Sequence, residues 1–373
     1  MILLPKQEIQ IDGGILAINQ TTNSEWAMAI SCGQKVTLVD RNLSPKYEYQ
    51  LPDEISCLAI SPKGDLLAAI MANGNHLAIV TAENQLVFEE QLPNPPVKYL
   101  LHNDNGFQDC WFDADGLRFW CIKAIECAEI EIQIRDTNSW QIQRQLLLED
   151  PFGSSFSWFH PHPENQILAM WVAAGQDGQQ IYWLYDDGTK IHAVEVPCPY
   201  DTGPPEFHPA GSEFLVVHDC NLKISRFSFP DCNLLGICEW PGPDWGVGFD
   251  CYMCYLSDDC VLVKTDEGRM HIIDINKMEV SEEVILSGHE PRSCKELYPT
   301  LDLKEEICGD LHYFYRCDSD SILSVHSQLP SQELNSKQKA LVIFGGKELF
   351  GSLAKVQQSA PYSKLFIQSL GIS

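Results

Sequence analysis

The chain has 373 residues, 45% of them hydrophobic and 10% aromatic, which excludes global disorder and predicts a folded core. Its 52 acidic and 25 basic residues give a formal charge of −27, which disfavours DNA, RNA and anionic membranes, because those partners bind basic surfaces. No run approaches the ~18 apolar residues of a membrane span, and the start MILLPKQEIQ lacks the features of a signal peptide, so we expect a cytoplasmic protein.

One pattern recurs along the chain: a β-rich stretch ends in a polar residue, a short turn follows, and a second β-rich stretch begins. It is clearest in IQIRDTNSWQIQRQLLL and MHIIDINKMEVSEEVIL. The polar residues follow one another at steps of 41 to 55 residues: Asp40, Thr81, Asp136, Asp187, Ser228, Asp274 and Asp318. Periods of this length with all-β character are typical of a β-propeller with one four-stranded blade per repeat.

A second landmark precedes the first in the repeats, where an apolar strand ends and a turn containing polar residues, Pro or Gly follows. Pro lacks an N–H donor and Gly accepts positive φ, so both end strands and favour turns. These strand ends are 47 to 52 residues apart: Ile60, Phe112, Phe159, Phe207 and Leu256. His160 and His208 each stand between a Phe and a Pro at this landmark, so we expect both to serve the turn, for example through a hydrogen bond across it.

The two series predict an all-β fold, a seven-bladed β-propeller of four-stranded antiparallel blades, in one domain with a short C-terminal extension. Residues 1–12 alternate like a strand and would complete the last blade, which closes the ring. The extension covers 335–373; helical spacing within it suggests a short helix over 347–358, although a final strand plus a tail fits equally, and 340–344 could instead belong to the last blade. The predicted blades span approximately 14–51, 55–93, 97–149, 154–197, 203–241, 246–287 and 294–328.

The F-x-P-x-G turn of Phe207–Gly211, together with strands that end in Asp before a short turn, resembles the WD40-type repeat. The resemblance covers roughly residues 14–328 and implies a scaffold for protein assembly that is rarely catalytic. The chain departs from the family pattern, because it has no Trp-Asp dipeptide and a single Gly-His pair, Gly288-His289. The family's Asp–His hydrogen-bond network is therefore mostly missing, and we expect apolar packing between sheets to hold the blades together.

Fifteen cysteines are scattered through the predicted strands, as expected for buried thiols in a reducing compartment. Cys57, Cys121, Cys220 and Cys260 stand beside apolar strand residues and are interpreted as core. Cys251 and Cys254 form a CxxC motif, so a metal site at this pair is the weaker alternative to buried thiols. No second CxxC exists, and side chains three apart in a strand point to opposite faces, so we predict no metal and no cofactor.

Sequence motifs for catalysis are missing: the chain has no G-x-S-x-G, H-E-x-x-H, P-loop or G-x-G-x-x-G. We therefore predict no catalytic residues and a protein that is not an enzyme.

The segment EWPGPDWGVGFD, between two predicted blades, is the best binding candidate. Trp245 and Trp240 are candidate aromatic anchors, and Asp244 and Asp250 would steer a basic ligand. The alternative is that these aromatic rings fill space between blades. The acidic residues likewise have two explanations, a surface for a basic partner or the solubility of a large domain.

The sequence favours a monomeric, cytoplasmic, non-catalytic scaffold that binds a basic protein, in a narrower version as an inhibitor or immunity-type protein. The alternative function is a propeller enzyme or small-ligand sensor that uses the central channel.

Overall fold

The structure is a computed structural model, and its described residues fall into two compact units: Ile15–Cys198, and Met1–Gly14 with Pro199–Ser373. We call them the 15–198 unit and the 199–373 unit. The described residues are 2–11, 14–20, 26–32, 34–39, 45–71, 74–92, 98–99, 102–103, 106–125, 129–152, 156–163, 167–173, 178–199, 202–208, 210–218, 223–239, 251–265, 270–286, 321–327 and 340–345.

The described part of the 15–198 unit contains four four-stranded antiparallel sheets and one two-stranded ribbon, each built from strands consecutive in the chain. The first sheet contains β2 (Gly14–Gln20), β3 (Trp26–Cys32), β4 (Lys35–Val39) and β5 (Pro45–Gln50). The second contains β6 (Ile55–Ile60), β7 (Leu66–Met71), β8 (His76–Thr81) and β9 (Leu86–Gln91). The ribbon is β10 (Lys98–Tyr99) and β11 (His102–Asn103). The third four-stranded sheet contains β12 (Gly106–Phe112), β13 (Arg118–Ile125), β14 (Glu129–Asp136) and β15 (Ile142–Glu149). The fourth contains β16 (Phe156–Pro161), β17 (Leu168–Ala173), β18 (Gln179–Asp186) and β19 (Ile191–Glu195).

The 199–373 unit has, in the residues described, one four-stranded and one seven-stranded sheet. The four-stranded sheet is β20 (Glu206–Phe207), β21 (Glu213–His218), β22 (Lys223–Ser228) and β23 (Leu234–Glu239). The larger sheet has the order β24-β25-β26-β27-β1-β28-β29. Its strands are β1 (Ile2–Ile11), β24 (Cys251–Ser257), β25 (Cys260–Thr265), β26 (Met270–Asp274), β27 (Glu279–Leu286), β28 (Ser321–Ser327) and β29 (Ala340–Gly345).

The N-terminal strand β1 joins strands that come late in the chain. It pairs antiparallel with β28, from Leu4 opposite Ser327 to Ile11 opposite Ser321, and in parallel with β27. β29 pairs with the other edge of β28. The blade boundaries, the closing role of residues 1–12 and the C-terminal extension stay predictions, and the suggested helix over 347–358 lies outside the described residues.

Apolar side chains on middle strands pack between neighbouring sheets. β7 and β17 are almost completely buried along their length, whereas the outer strands β9 and β15 alternate between exposed and half-buried positions. Each of the main apolar clusters combines two successive sheets; one contains Ile132 and Ile134 of β14 together with Met170 of β17. Burial of this kind contributes about 25 cal/mol per Å² of apolar area, so it is the main attraction between sheets. The predicted apolar packing is confirmed.

The recurring polar residue at the end of the third strand caps the turn that follows. Asp136 Oδ1 accepts hydrogen bonds from the N–H groups of Asn138 (3.1 Å) and Ser139 (2.8 Å). The same side-chain-to-backbone bonding occurs at the other described anchors: Thr81, Asp187, Ser228 and Asp274. Carboxylate and hydroxyl oxygens suit this position because they satisfy turn N–H groups that have no strand partner. Asp40 and Asp318 lie outside the described residues.

A residue with positive φ closes four of these turns. These residues are Asn84 (φ 60°), Trp140 (59°), Cys232 (55°) and Met278 (52°). The adjoining ladder shifts register by one residue in each case, so the turn carries a β-bulge. Trp140 tolerates this backbone because its ring is buried, stacked on Phe88 at a centroid distance of 5.6 Å.

The turn after the first strand is closed by a backbone bond that spans five residues. Ser61 N–H donates to Leu66 O, Asp113 N–H to Arg118 O and His208 N–H to Glu213 O, at 2.9 to 3.0 Å. His208 also accepts a bond at Nδ1 from Ala210 N–H (3.0 Å), which confirms its predicted turn role.

In the fourth sheet the residue at this turn is His162, whose N–H donates to Ile167 O at 3.2 Å. The prediction that His160 is equivalent to His208 is therefore wrong by two residues. β16 extends two residues past Phe159, so that His160 lies within the strand. Its side chain is 1% exposed, and its Nε2 has no hydrogen-bond partner in the described part of the chain. Burial lowers the pKa of His160 to about 3, so the imidazole is neutral.

Side-chain oxygens on one first strand accept hydrogen bonds from the first strand of the next sheet. Asp109 Oδ2 of β12 accepts from Phe159 N–H of β16 at 2.8 Å, and its Oδ1 accepts from Cys110 N–H at 2.9 Å. The thiol of Cys57, on β6, donates to the same Oδ1 at 3.0 Å. Glu206 Oε1 accepts from Tyr255 N–H in the 199–373 unit at 3.4 Å. The buried carboxylate of Asp109 thus joins three successive four-stranded sheets, β6–β9, β12–β15 and β16–β19.

We expect Asp109→Ala to lower the free energy of unfolding by about 2–5 kcal/mol, because two buried N–H groups lose their acceptor at about 1–3 kcal/mol each. Asp109→Asn keeps one acceptor oxygen and should lose about half as much. Urea unfolding measures both. The control is Glu83→Ala, an exposed carboxylate whose removal should change stability by less than about 0.5 kcal/mol. Equal losses for the Asp109 and Glu83 variants would contradict the role of Asp109.

Substitution by glycine at two positive-φ positions should have opposite effects on the stability of the fold. Asn84 is exposed, so Asn84→Gly keeps the turn and should leave stability unchanged or raise it by up to about 1 kcal/mol. Trp140→Gly suits the same backbone but removes a buried ring, so we expect a loss of about 3 kcal/mol or more. Thermal unfolding of both variants tests this, and a stabilised Trp140→Gly protein would show that backbone strain outweighs packing.

Candidate interaction surface

The residues singled out from the sequence lie in two places. Trp240, Asp244, Trp245 and Asp250 belong to residues 240–250, outside the described residues, so their binding role stays a prediction. The alternative metal-binding pair lies in β24, where Cys251 is opposite Thr265 and Cys254 opposite Leu262 in the ladder. In the residues that the structure describes, no three His, Cys, Asp or Glu side chains converge as metal ligands would.

The described cysteines are mostly part of the core. Cys57 and Cys121 are buried, as predicted, whereas Cys260 is half-buried and Cys220 lies outside the described residues. Burial raises the pKa of Cys121 to about 11, and it also raises the pKa of Cys110. Such thiols are protonated and poor nucleophiles at neutral pH. Where the structure is described, no helix is long and apolar enough to cross a bilayer.

An ion network joins the sheets β12–β15 and β16–β19 at the edge that carries their first and third turns. Arg118 Nη1 donates to Asp186 Oδ2 at 3.0 Å, and Arg144 Nη2 donates to the same oxygen at 2.5 Å. Arg118 Nε also lies 2.5 Å from Asp113 Oδ2. The Asp186 side chain is almost fully buried, so two guanidinium groups compensate a carboxylate that water does not reach.

Asp113 is the most perturbed acid of this network. Its Oδ1 accepts a hydrogen bond from Trp120 Nε1–H at 2.7 Å. Burial raises the pKa of Asp113 to about 6 and outweighs Arg118 and the indole N–H, which both lower it. The ion pair with Arg118 therefore forms as the pH rises through about 6.

A second ion network lies between β6–β9 and β12–β15. Arg135 donates to Glu90 and to Trp140 O, and its guanidinium lies 5.0 Å from the centre of the Phe88 ring. Lys123 Nζ reaches Glu90 Oε1 at 3.0 Å. The ions of this network pair with each other between the sheets, so it serves the contact between sheets rather than a ligand.

Exposed apolar residues are close in sequence to the three residues that join the first network. Leu117 precedes Arg118, Tyr185 precedes Asp186, and Ile142 lies two residues before Arg144; all three are exposed. Two exposed carboxylates, Asp115 and Asp187, lie at the adjoining turns. We call these five residues the acidic turn surface: Asp115, Leu117, Ile142, Tyr185 and Asp187.

Hydrogen bonds keep two carboxylates of these turns, Asp187 and Asp136, ionised. Hydrogen bonds from the Thr189 hydroxyl and from His192 hold the pKa of Asp187 well below its usual range. The His192 ring also stacks on Tyr185 at 4.5 Å, which orients the phenol. Backbone N–H of Ser139 lowers the pKa of Asp136 at the next turn. At these turns five carboxylates outnumber three cations, so the local charge is negative. The carboxylates are Asp113, Asp115, Asp136, Asp186 and Asp187, and the cations are Arg118, Arg144 and Lys190.

The roles of Arg118, Arg144 and Asp186 could not be read from the sequence, where the one signal is the adjacent pair Asp186-Asp187. Both acids cap the turn, because Asp187 Oδ1 accepts from Thr189 N–H and Asp186 Oδ1 accepts from Gly188 N–H at 3.0 Å. Asp186 has a second role, since its Oδ2 accepts from Arg118 and Arg144 of the preceding sheet.

Comparison with known proteins shows the fold. No family model matches the chain, and no curated protein matches it. The solved β-propeller domain of Myceliophteria thermophila Cps50 (Swd1) is similar in structure, with a TM-score of 0.51 at 10% identity over 74% of this chain and 89% of that one. The chain therefore has an all-β propeller fold, and its four-stranded antiparallel sheets fit WD40-type repeats, as predicted. Seven blades are consistent with this fold, and their number stays a prediction.

The raised pKa of Asp113 makes the free energy of unfolding depend on pH, and the direction of the pKa shift gives the sign of this dependence. The folded state holds the proton up to about pH 6, whereas the unfolded chain releases it near the ordinary pKa of 3.8. Asp113 therefore favours folding least above pH 6. From pH 4 to 6.5, the unfolding free energy of the wild type should fall relative to Asp113→Asn, by at most about 3 kcal/mol.

Chemical denaturation at several pH values measures this difference. Glu149→Gln, an exposed carboxylate at the far end of the same sheet, controls for the loss of one negative charge and should not reproduce the difference seen for Asp113→Asn. A constant difference between wild type and Asp113→Asn across this range would show that Asp113 is not perturbed.

Proposed function

We propose that the chain is a non-catalytic scaffold for protein–protein interaction that binds a basic protein through the acidic turn surface. WD40-type propellers commonly bind other proteins, which supports the general role. The finer proposal rests on one observation: exposed apolar and aromatic side chains occur at turns where carboxylates outnumber the cations.

The presence of carboxylates alone does not distinguish a binding surface for a basic partner from charges that keep the domain soluble. Glu129, Glu149 and Glu195 are exposed at the opposite edge of the same two sheets, so acidic residues occur at both edges. The difference is the neighbouring groups. At the turn edge Tyr185 is held by its stack on His192, and a rigid aromatic ring beside fixed charges is typical of binding hot spots.

The expected mechanism is rigid presentation of turns. Caps and bulges fix each turn without a ligand, so little conformational entropy is lost on binding. The negative field speeds the encounter with a basic partner, and the apolar groups supply affinity once water is excluded. Inhibition of a basic enzyme is the narrower form of this proposal. We also propose that the protein acts as a monomer in the cytoplasm, where buried thiols such as Cys110 and Cys121 stay reduced.

The test is a pull-down with the purified protein at about 0.05 M and about 0.5 M salt, with the captured proteins identified by mass spectrometry. We expect basic proteins to be captured at low salt and largely lost at high salt, because the Debye length falls from ~10 Å at 0.1 M to ~3 Å at 1 M.

Two triple variants locate the surface. Asp115→Asn with Asp136→Asn and Asp187→Asn removes three charges but keeps side-chain oxygens that can cap the turns, and it should lose most of the captured protein. Glu129→Gln with Glu149→Gln and Glu195→Gln removes the same charge at the opposite edge and should capture as much as wild type. Capture that neither salt nor the Asn variant reduces would refute the proposal.

A further inference from the structure

The outer strand β23 has an edge that the described structure leaves without a strand. In the order of its sheet β23 comes last and pairs with β22 alone. An edge strand presents a row of backbone N–H and C=O groups that can pair with another extended chain.

Three apolar side chains of β23 are exposed to solvent. Leu234, Leu235 and Ile237 are 54%, 51% and 46% exposed. One face of the strand is packed: a Cβ on Gly236 would lie 2.7 Å from Met278 Cγ, and Cys238 is buried against the same neighbouring sheet. Leu235 and Ile237 therefore point away from the sheet that contains Met278, because side chains alternate along a strand.

Proteins commonly protect sheet edges with charged residues that discourage pairing. Within the described sheets, β5 has Lys46 and Glu48, β9 has Glu89 and Glu90, and β15 has Arg144. β23 has no charged residue before its last position, Glu239, and low charge also occurs in β19 and β29. β23 differs from β19 in its exposed apolar side chains, which number three on β23 and one, Val194, on β19. Among the described residues, the edge of β23 thus combines low charge with exposed apolar groups.

The surroundings of β23 are acidic. Asp231 precedes it and is exposed, Glu239 ends it, and Glu279 on the next sheet lies near enough to act on Cys238. Three cations lie nearby: Lys223 is opposite Glu239 in the ladder, Arg226 is paired with Glu213, and Lys277 interacts with Glu279 and is paired with Asp274. With Glu213 and Asp274 included, five carboxylates stand against these three cations, and this excess favours an occupant that carries Lys or Arg.

We propose that β23 is the docking edge for an extended, basic segment of the partner protein, which adds to the sheet as a fifth strand. This inference rests on the proposed function, because it assumes a basic protein partner. Apolar side chains of the segment contact Leu235 and Ile237, while its Lys or Arg side chains lie near Glu239 and Asp231. Backbone pairing supplies affinity that tolerates different sequences, and the alternation of apolar and basic residues supplies register.

The test uses three synthetic octapeptides and fluorescence anisotropy at about 0.05 M salt. One peptide alternates Lys and Val, one has four Lys followed by four Val, and one alternates Glu and Val. We expect the alternating Lys–Val peptide to bind at least about tenfold more tightly than the other two. It should also slow amide exchange of residues 234–239. Equal binding of the two Lys–Val peptides would mean that charge alone acts, and no binding of the alternating peptide would likewise overturn the proposal.

Two double variants test whether the alternating peptide binds at β23. Leu235→Lys with Ile237→Lys should weaken the alternating peptide at least about tenfold, beyond the small effect of added positive charge. Leu147→Lys with Val194→Lys, at outer-strand positions 53% and 48% exposed, adds the same charge and should weaken it less than about threefold. Circular dichroism checks that both remain folded, which surface positions normally allow. Equal weakening in the two variants overturns the assignment to β23.

Two further outcomes separate this inference from the proposed function. If the variant at Asp115, Asp136 and Asp187 loses the captured proteins while Leu235→Lys with Ile237→Lys keeps them, the scaffold proposal stands and β23 is not its docking edge. If the wild type dimerises in sedimentation experiments and the β23 variant does not, the occupant is a second copy of this chain, and the proposed partner segment is wrong.

Discussion

A first strand has one edge with no strand beside it, so its buried N–H groups need acceptors from elsewhere. In the described residues, side chains of the preceding sheet supply them. Asp109 serves Phe159, and Gln108 Oε1 accepts from Ser157 N–H at 2.9 Å. Glu206 serves Tyr255 in the same way. Apolar burial brings sheets together without fixing their distance, whereas a bond of about 2.8–3.4 Å fixes it. The ion network of Arg118 and Asp186 requires that fixed distance, because guanidinium pairing is directional.

Turn chemistry and surface charge have a common source in this chain. A carboxylate caps the third turn in several repeats, and the hydrogen bonds that stabilise the turn also keep the carboxylate ionised. The negative field at the turn edge is therefore partly a by-product of the repeat. Binding also requires apolar contact area, which the exposed Leu117 and Tyr185 supply. Tyr185 stacks on His192, the partner of Asp187. The acidic turn surface thus combines a capping carboxylate found in several repeats with side chains particular to these turns.

The fold could be predicted because it depends on period, and period is local information. Asp136, Asp187 and Asp274 mark their turns whatever the rest of the chain does. The sheet-to-sheet ion pairs could not be predicted in this way. Arg118 meets Asp186 across 68 residues of sequence, and many arginines and carboxylates offer the same pairing. Burial and geometry select one of them, and neither is visible in composition.

His160 shows a limit within the repeat itself. The Phe-His-Pro triplet occurs twice, and identical letters suggested identical positions. Strand β16 continues for two residues beyond Phe159, so the turn begins at His162 instead. A shift of two keeps every side chain on its original face, and so the hydrophobic pattern does not reveal it. The hydrogen bonds of the turn do.

The acceptor role of Asp109 also bears on how such a protein can change over evolutionary time. Tandem units are often pictured as interchangeable pieces that duplication can insert or recombination can swap. Here the sheets that contain Asp109 and Glu206 each carry a side chain that completes the backbone of the next sheet, so a sheet transplanted there would lack the matching oxygen. At these two junctions the order of the sheets along the chain is therefore constrained more than their sequences are.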